Sequence, residues 1–86
     1  MKIELAGGPC DGSRLSIGPE EVRRPIFREH PQEPGMFALY EPTDRIVVRH
    51  LKPWPVFRFV VSLSGAEMQE ALAGAGKKVA RIIRAD

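Results

Sequence analysis

The sequence predicts an α+β domain: a mostly antiparallel sheet of about five strands, with one helix at about residues 64–75 packed on one face. Three observations lead there. Polar and apolar residues alternate over several short runs between Met1 and Leu63, a period of two that marks strands with one buried face. A single helix-start signature appears at Ser64-Gly65-Ala66-Glu67. The chain has 86 residues, too few for a second core, so one domain over residues 1–86 is expected. With 43% hydrophobic and 28% charged residues, the composition lies far from the low-hydrophobicity regime of disorder.

The first strand pair is read from Lys2-Ile3-Glu4-Leu5-Ala6 and Arg14-Leu15-Ser16-Ile17. Between them, Gly7-Gly8-Pro9-Cys10-Asp11-Gly12 supplies the residues that tolerate positive φ and tight turns. Ile3, Leu5, Leu15 and Ile17 should share the buried face. In residues 18–35, Pro19, Pro25, Pro31 and Pro34 remove backbone donors and discourage helix in the residue before each. The segment reads mainly as loop, with one helical turn opening at Pro19-Glu20-Glu21-Val22 and a short edge strand at Pro25-Ile26-Phe27-Arg28.

Met36 to Tyr40 and Arg45 to Arg49 are β-prone runs flanking Glu41-Pro42-Thr43-Asp44, a turn composition, and are expected to form a second hairpin. Val56 to Leu63 is a further strand, with Phe57, Phe59, Val61 and Leu63 expected on the core face and Val56, Arg58, Val60 and Ser62 opposite. In the helix, Met68, Ala71, Leu72 and Ala75 fall on one stripe, with Glu67, Gln69 and Glu70 off it. Gly74 and Gly76 suit the position past a helix end better than its interior, which places the stop near Ala75. Val79 to Arg84 would then be a last strand, completing a strand–helix–strand crossover. One helix running to Arg84 is the competing reading.

The opening strand with its Gly7-Gly8-Pro9-Cys10-Asp11-Gly12 turn resembles a group of small uncharacterised proteins of phages and high-GC bacteria. These begin with a strand, a Gly-Gly-Pro-x-Asp-Gly turn and a second strand, and often carry a tyrosine-containing hairpin further on. Ala38-Leu39-Tyr40-Glu41 through Val47-Val48-Arg49 is similar to that second hairpin. The resemblance covers about the first fifty residues by pattern, and after Lys52 it stops. It implies an accessory phage-like protein and transfers no active site.

Little in the residues points to catalysis. Cys10 lies beside Asp11, and only His30 and His50 are available as a base, His50 at a strand end being the better placed. No Lys, Arg or following helix N-terminus stabilises a thiolate there, so an inert thiol is expected. The glycine-rich turn is a poor phosphate cradle, because a strand follows it and Asp11 repels phosphate. Cys10, His30, His50 and scattered carboxylates lack the close spacing of metal-ligand pairs, so no metal and no cofactor are expected.

The expected function is therefore a non-enzymatic protein-interaction or assembly module, working with a protein partner or as a homo-oligomer through exposed sheet edges or Trp54. Trp54, between Pro53 and Pro55 in a stiff connector, either plugs the end of the core or anchors a partner. With Tyr40, Arg49 and Arg58 it makes the candidate partner-binding set. The alternative is a small nucleic-acid-binding protein. Lys77, Lys78, Arg81 and Arg84 would carry it, with Arg45, Arg49, Lys52 and Arg58 as a second basic group on the sheet. Net charge is only +2, from 13 Lys and Arg against 11 Asp and Glu, which argues weakly for that partner. Met1-Lys2-Ile3-Glu4-Leu5 is too charged for a signal peptide and no apolar run is long enough for a membrane span. A single cysteine fits a reducing compartment. The expected location is cytoplasmic, in the host cytoplasm or in the virion if phage-encoded, with no membrane partner.

Overall fold

The structure, a computed structural model, describes residues 1–75 and the strand at 81–83. Its elements are β1 (Lys2–Ala6), β2 (Arg14–Ser16), β3 (Ile26–Glu29), β4 (Met36–Arg49), β5 (Lys52–Ser64), α1 (Gly65–Ala75) and β6 (Arg81–Ile83). Short 3-10 turns occupy Gly8–Cys10 and Pro19–Glu21. The strands form one six-stranded sheet in the order β2-β1-β5-β4-β3-β6. β1/β2, β4/β5 and β3/β4 pair antiparallel, whereas β1/β5 and β3/β6 pair parallel. The fold is thus α+β with a mostly antiparallel sheet and one helix.

Several elements form where local chemistry places them. The β1/β2 hairpin pairs Ile3 with Leu15, and Ile3, Leu5 and Ile17 are buried on its inner face. At the helix start, Ser64 Oγ accepts from the Glu67 amide at 3.2 Å while the Glu67 carboxylate accepts from the Ser64 amide at 2.9 Å. That reciprocal pair satisfies two amides a helix start would otherwise leave unbonded. α1 ends at Ala75 and a strand follows at 81–83, so a continuous helix to Arg84 is excluded. Val79, Ala80 and Arg84 of the expected last strand lie outside the described residues. β5 and β6 run in the same direction, with β4 and β3 between them, which makes β5–α1–β6 a wide crossover.

Three expectations need correction. Residues 41–44 do not turn: β4 runs unbroken from Met36 to Arg49, and the hairpin reverses at His50 and Leu51 instead. The reason is a bulge. The register shifts between Pro42 and Ile46, and there the Thr43 hydroxyl donates to the Val56 carbonyl at 2.6 Å and accepts from the Arg45 amide at 3.1 Å. A side chain thereby replaces ladder bonds that the extra residues interrupt. Correspondingly, Lys52 to Pro55 belong to β5 rather than to a connector.

The second correction concerns the core. Leu39 pairs with Val61 but Tyr40 with Phe59, so Val60 is an unpaired extra residue. One such insertion moves every later side chain to the opposite face. Phe57 and Phe59 therefore join Ile3, Leu5, Cys10, Ile17, Ile26, Ala38 and Tyr40 on one side, while Leu63 joins Phe27, Phe37 and Leu39 on the other. Met68, Ala71 and Leu72 of α1 pack on that second group only. The expected single face was two half-faces. Third, β3 is not an edge strand, since β6 pairs beyond it; Pro25 lies just outside β3 and costs the ladder nothing.

Candidate interaction surface

β4 and β5 are the longest strands, and their last residues before and after the turn pair only with each other. β3 reaches no further along β4 than Tyr40, and β1 meets β5 only at Val56, Phe57 and Arg58. Among the described residues, 45–55 therefore form a two-stranded arm extending from the sheet. Its pairing is Ile46 with Pro55, Val47 with Trp54, Val48 with Pro53 and Arg49 with Lys52.

One face of the arm is apolar and open. Alternation places Ile46, Val48, Pro53 and Pro55 together, and Ile46 and Val48 are 64% and 66% exposed. Leu51, at the turn, is 97% exposed. His50 and Leu51 have φ of 52° and 62°, the left-handed conformation that a two-residue hairpin turn matched to strand twist requires. Glycine or asparagine normally fills such positions. For histidine and leucine the conformation costs about 1–2 kcal/mol per residue, so the turn holds bulky side chains in solvent at a cost in stability.

The other face is polar and closed. Trp54 is 7% exposed, yet it belongs to neither apolar cluster. Its ring lies under two cations, with Arg14 5.1 Å and Lys2 5.7 Å from its centroid, and His50 packs against it at 6.3 Å. Arg49 reaches across β5 to Glu4, with Nε 3.0 Å and Nη2 3.2 Å from the two carboxylate oxygens, and Arg14 Nε adds a third contact at 3.3 Å. The hydrogen bonds from Arg49, with those from Arg14, hold the Glu4 carboxyl below the usual carboxylate range. Lys2, His50, Lys52, Pro53 and Trp54 line a shallow pocket of about 570 Å³ beside this cluster.

The candidate residues are thus dispersed. Tyr40 is 0% exposed and offers nothing to a partner. Its hydroxyl donates to the Gly7 carbonyl at 2.7 Å and accepts from the Cys10 amide at 2.9 Å, and burial pushes its pKa up to about 12. The expectation failed because a tyrosine's polar tip can satisfy a buried loop as well as a surface contact. Arg49 is committed to Glu4, and Arg58 pairs with Glu41 at 2.9 Å. Lys77, Lys78 and Arg84 lie outside the described residues, and Arg81 is in β6.

Cys10 is 3% exposed within the first core, whereas His50 is on the arm against Trp54; the structure does not bring them together. Among the described residues, no three His, Cys, Asp or Glu side chains gather as a metal ion would require. Neither is any helix there long and apolar enough to cross a membrane.

In the sequence the residues of the arm read as the second strand of a hairpin, Arg45 to Arg49, followed by a stiff connector, Lys52 to Pro55. Ile46 and Val48 carry no signal of exposure, since exposure depends on where β3 ends. Comparisons with protein-family models, with curated proteins and with solved structures found no match to this chain.

Proposed function

We propose that this protein is a non-enzymatic interaction or assembly module that engages a protein partner through the β4–β5 arm. The observation that carries the reading is the exposure of Ile46, Val48 and Leu51 on and beside the one face of the arm that no other described strand covers. Large apolar side chains displayed together mark interaction sites. A left-handed Leu51, at the most exposed point of the arm, is a feature the fold does not need. Strain of this kind concentrates at functional positions. The resemblance of the opening hairpin to phage-like accessory proteins is in keeping with an assembly role.

Nucleic-acid binding has less support. Two of the four sheet cations, Arg49 and Arg58, already hold carboxylates, and Trp54 is capped by Lys2 and Arg14 rather than open for stacking on bases. Retention on heparin at low salt that is lost as salt rises would favour it.

The test compares wild type with an Ile46→Lys, Val48→Lys, Leu51→Ser triple variant. Circular dichroism should show both folded, while affinity capture and light scattering should show association in wild type only. Equal association by both proteins would contradict the proposal.

A further inference from the structure

We infer that the arm's partner is a second copy of this chain, added antiparallel along the free edge of β4 about a two-fold axis through Val47. The inference rests on the reading of the arm given above and names its occupant.

The two edges of the arm differ in chemistry. In an antiparallel pair, opposed residues alternate between pairs that exchange both backbone hydrogen bonds and pairs that exchange none. Pro53 and Pro55 have no N–H to give, so the Val48–Pro53 and Ile46–Pro55 pairs are the ones without bonds. The bonded pairs are Arg49–Lys52 and Val47–Trp54, in keeping with a two-residue turn closed by Arg49 and Lys52. It follows that the peptide groups of Ile46 and Val48 point away from β5 to the outer edge of β4. The nitrogens of Pro53 and Pro55 point to the opposite edge. Two prolines therefore blunt the β5 side against strand addition. The β4 side carries no proline between Thr43 and Arg49, and no strand among the described residues covers it.

That open edge is self-complementary. A two-fold axis perpendicular to the sheet keeps each face on its own side, and centring it on Val47 sets Ile46 against the second copy's Val48, and Val48 against its Ile46. These are the outward-pointing residues, so the two pairs exchange both of their N–H···O bonds, four in all. Their side chains, 64% and 66% exposed in the single chain, cover one another as a four-residue apolar strip. Val47 meets its own copy in the intervening unbonded pair. Centring on Ile46 instead would oppose Asp44 to Val48, and centring on Val48 would need His50, which is in the turn. On the opposite face Arg45 comes near the second copy's Arg49. This like-charge contact is offset because Glu4 holds Arg49, and salt should weaken what remains.

The test places a cysteine on the axis. Unbonded antiparallel pairs bring Cα atoms to about 4.5 Å, within the range a disulfide spans. The Val47→Cys full-length chain, oxidised with diamide, should run predominantly as a covalent dimer on a non-reducing gel. Ile46→Cys alone and Val48→Cys alone should not, whereas an equimolar mixture of those two should. Wild type, whose Cys10 is buried, is the uncrosslinked control. Light scattering on wild type, which needs no variant, should show mass rising from one chain toward two with concentration, and association tightening as NaCl is added.

A wild type that stays one chain at every concentration, with Val47→Cys crosslinking no faster than Ile46→Cys, would overturn self-pairing. In that event, a different protein held by wild type and released by Ile46→Lys with Val48→Lys would leave the arm reading standing with another occupant. If that double variant held its partner equally well, the arm reading would fall too.

Discussion

Two of the connections with backbone at positive φ, the Gly7–Gly12 loop and the β4–β5 turn, are built in opposite ways. In the loop from Gly7 to Gly12, glycines take the left-handed positions and nearly everything polar is bonded inward. The Gly7 amide donates to the Asp11 carboxylate at 2.6 Å, the Gly12 amide to the Leu5 carbonyl at 2.8 Å, and the Tyr40 hydroxyl bridges Gly7 and Cys10. At the β4–β5 turn, His50 and Leu51 hold the same region of backbone space without glycine, and Leu51 faces solvent. Gly7 and Gly8 stand where the chain passes close to Phe59, whereas Leu51 stands where its side chain is 97% exposed. The first connection is shaped by the fold; the second, under the proposed interaction role, is shaped by a partner.

This contrast can be broken most forcefully at Gly8. Its φ is +66°, and a Cβ there would run into the Phe59 ring. Gly8→Ala should cost about 2–5 kcal/mol from left-handed strain plus overpacking. A urea midpoint unchanged in Gly8→Ala would show that the loop is not locked as described.

A smaller loss is expected at Tyr40. Tyr40→Phe keeps the ring but strands the buried Cys10 amide and the Gly7 carbonyl, costing about 1–3 kcal/mol. The same hydroxyl gives a signature in pH. Its folded pKa is raised to about 12 by burial, above the usual value near 10, so the folded state binds the proton more tightly than the unfolded chain. The contribution is fully present below about pH 10 and is lost as pH rises toward 12. Denaturation across this window should show wild-type stability falling more steeply than that of Tyr40→Phe; parallel slopes would contradict the buried bridge.

At the other connection the sign reverses. Replacing His50 and Leu51 with Asn and Gly should raise the stability of the single chain by about 1–2 kcal/mol, because these residues enter the left-handed region at little cost. The same change should weaken association. A destabilised Asn-Gly variant would mean that His50 and Leu51 contribute packing the contrast overlooks.

How much of this was legible in the sequence follows from how local each signal is. The Ser64–Glu67 capping box and the Ile3, Leu5 and Ile17 face rest on neighbours within a few residues or on simple alternation, and each is present as expected. The Val60 and Thr43 bulges were not legible, because an inserted residue is defined only by its partner strand. They split the Phe57-to-Leu63 face and turned an apparent hairpin into one strand. At the candidate site Trp54 was identified, but its cover of Lys2 and Arg14 depends on the register of β1 with β5 and β2. Tyr40 was misplaced for the same reason: its partners, Gly7 and Cys10, are 33 and 30 positions away.

The most direct measurement is amide hydrogen exchange, resolved residue by residue along β4 at low and high protein concentration. Val47 and Arg49 donate into β5 and should be protected throughout, whereas Ile46 and Val48 point to the open edge and should exchange fast when the protein is dilute. Raising the concentration should slow Ile46 and Val48 selectively, as a second strand covers them. Protection of Ile46 and Val48 in dilute protein, or exchange there that no concentration slows, would contradict the account.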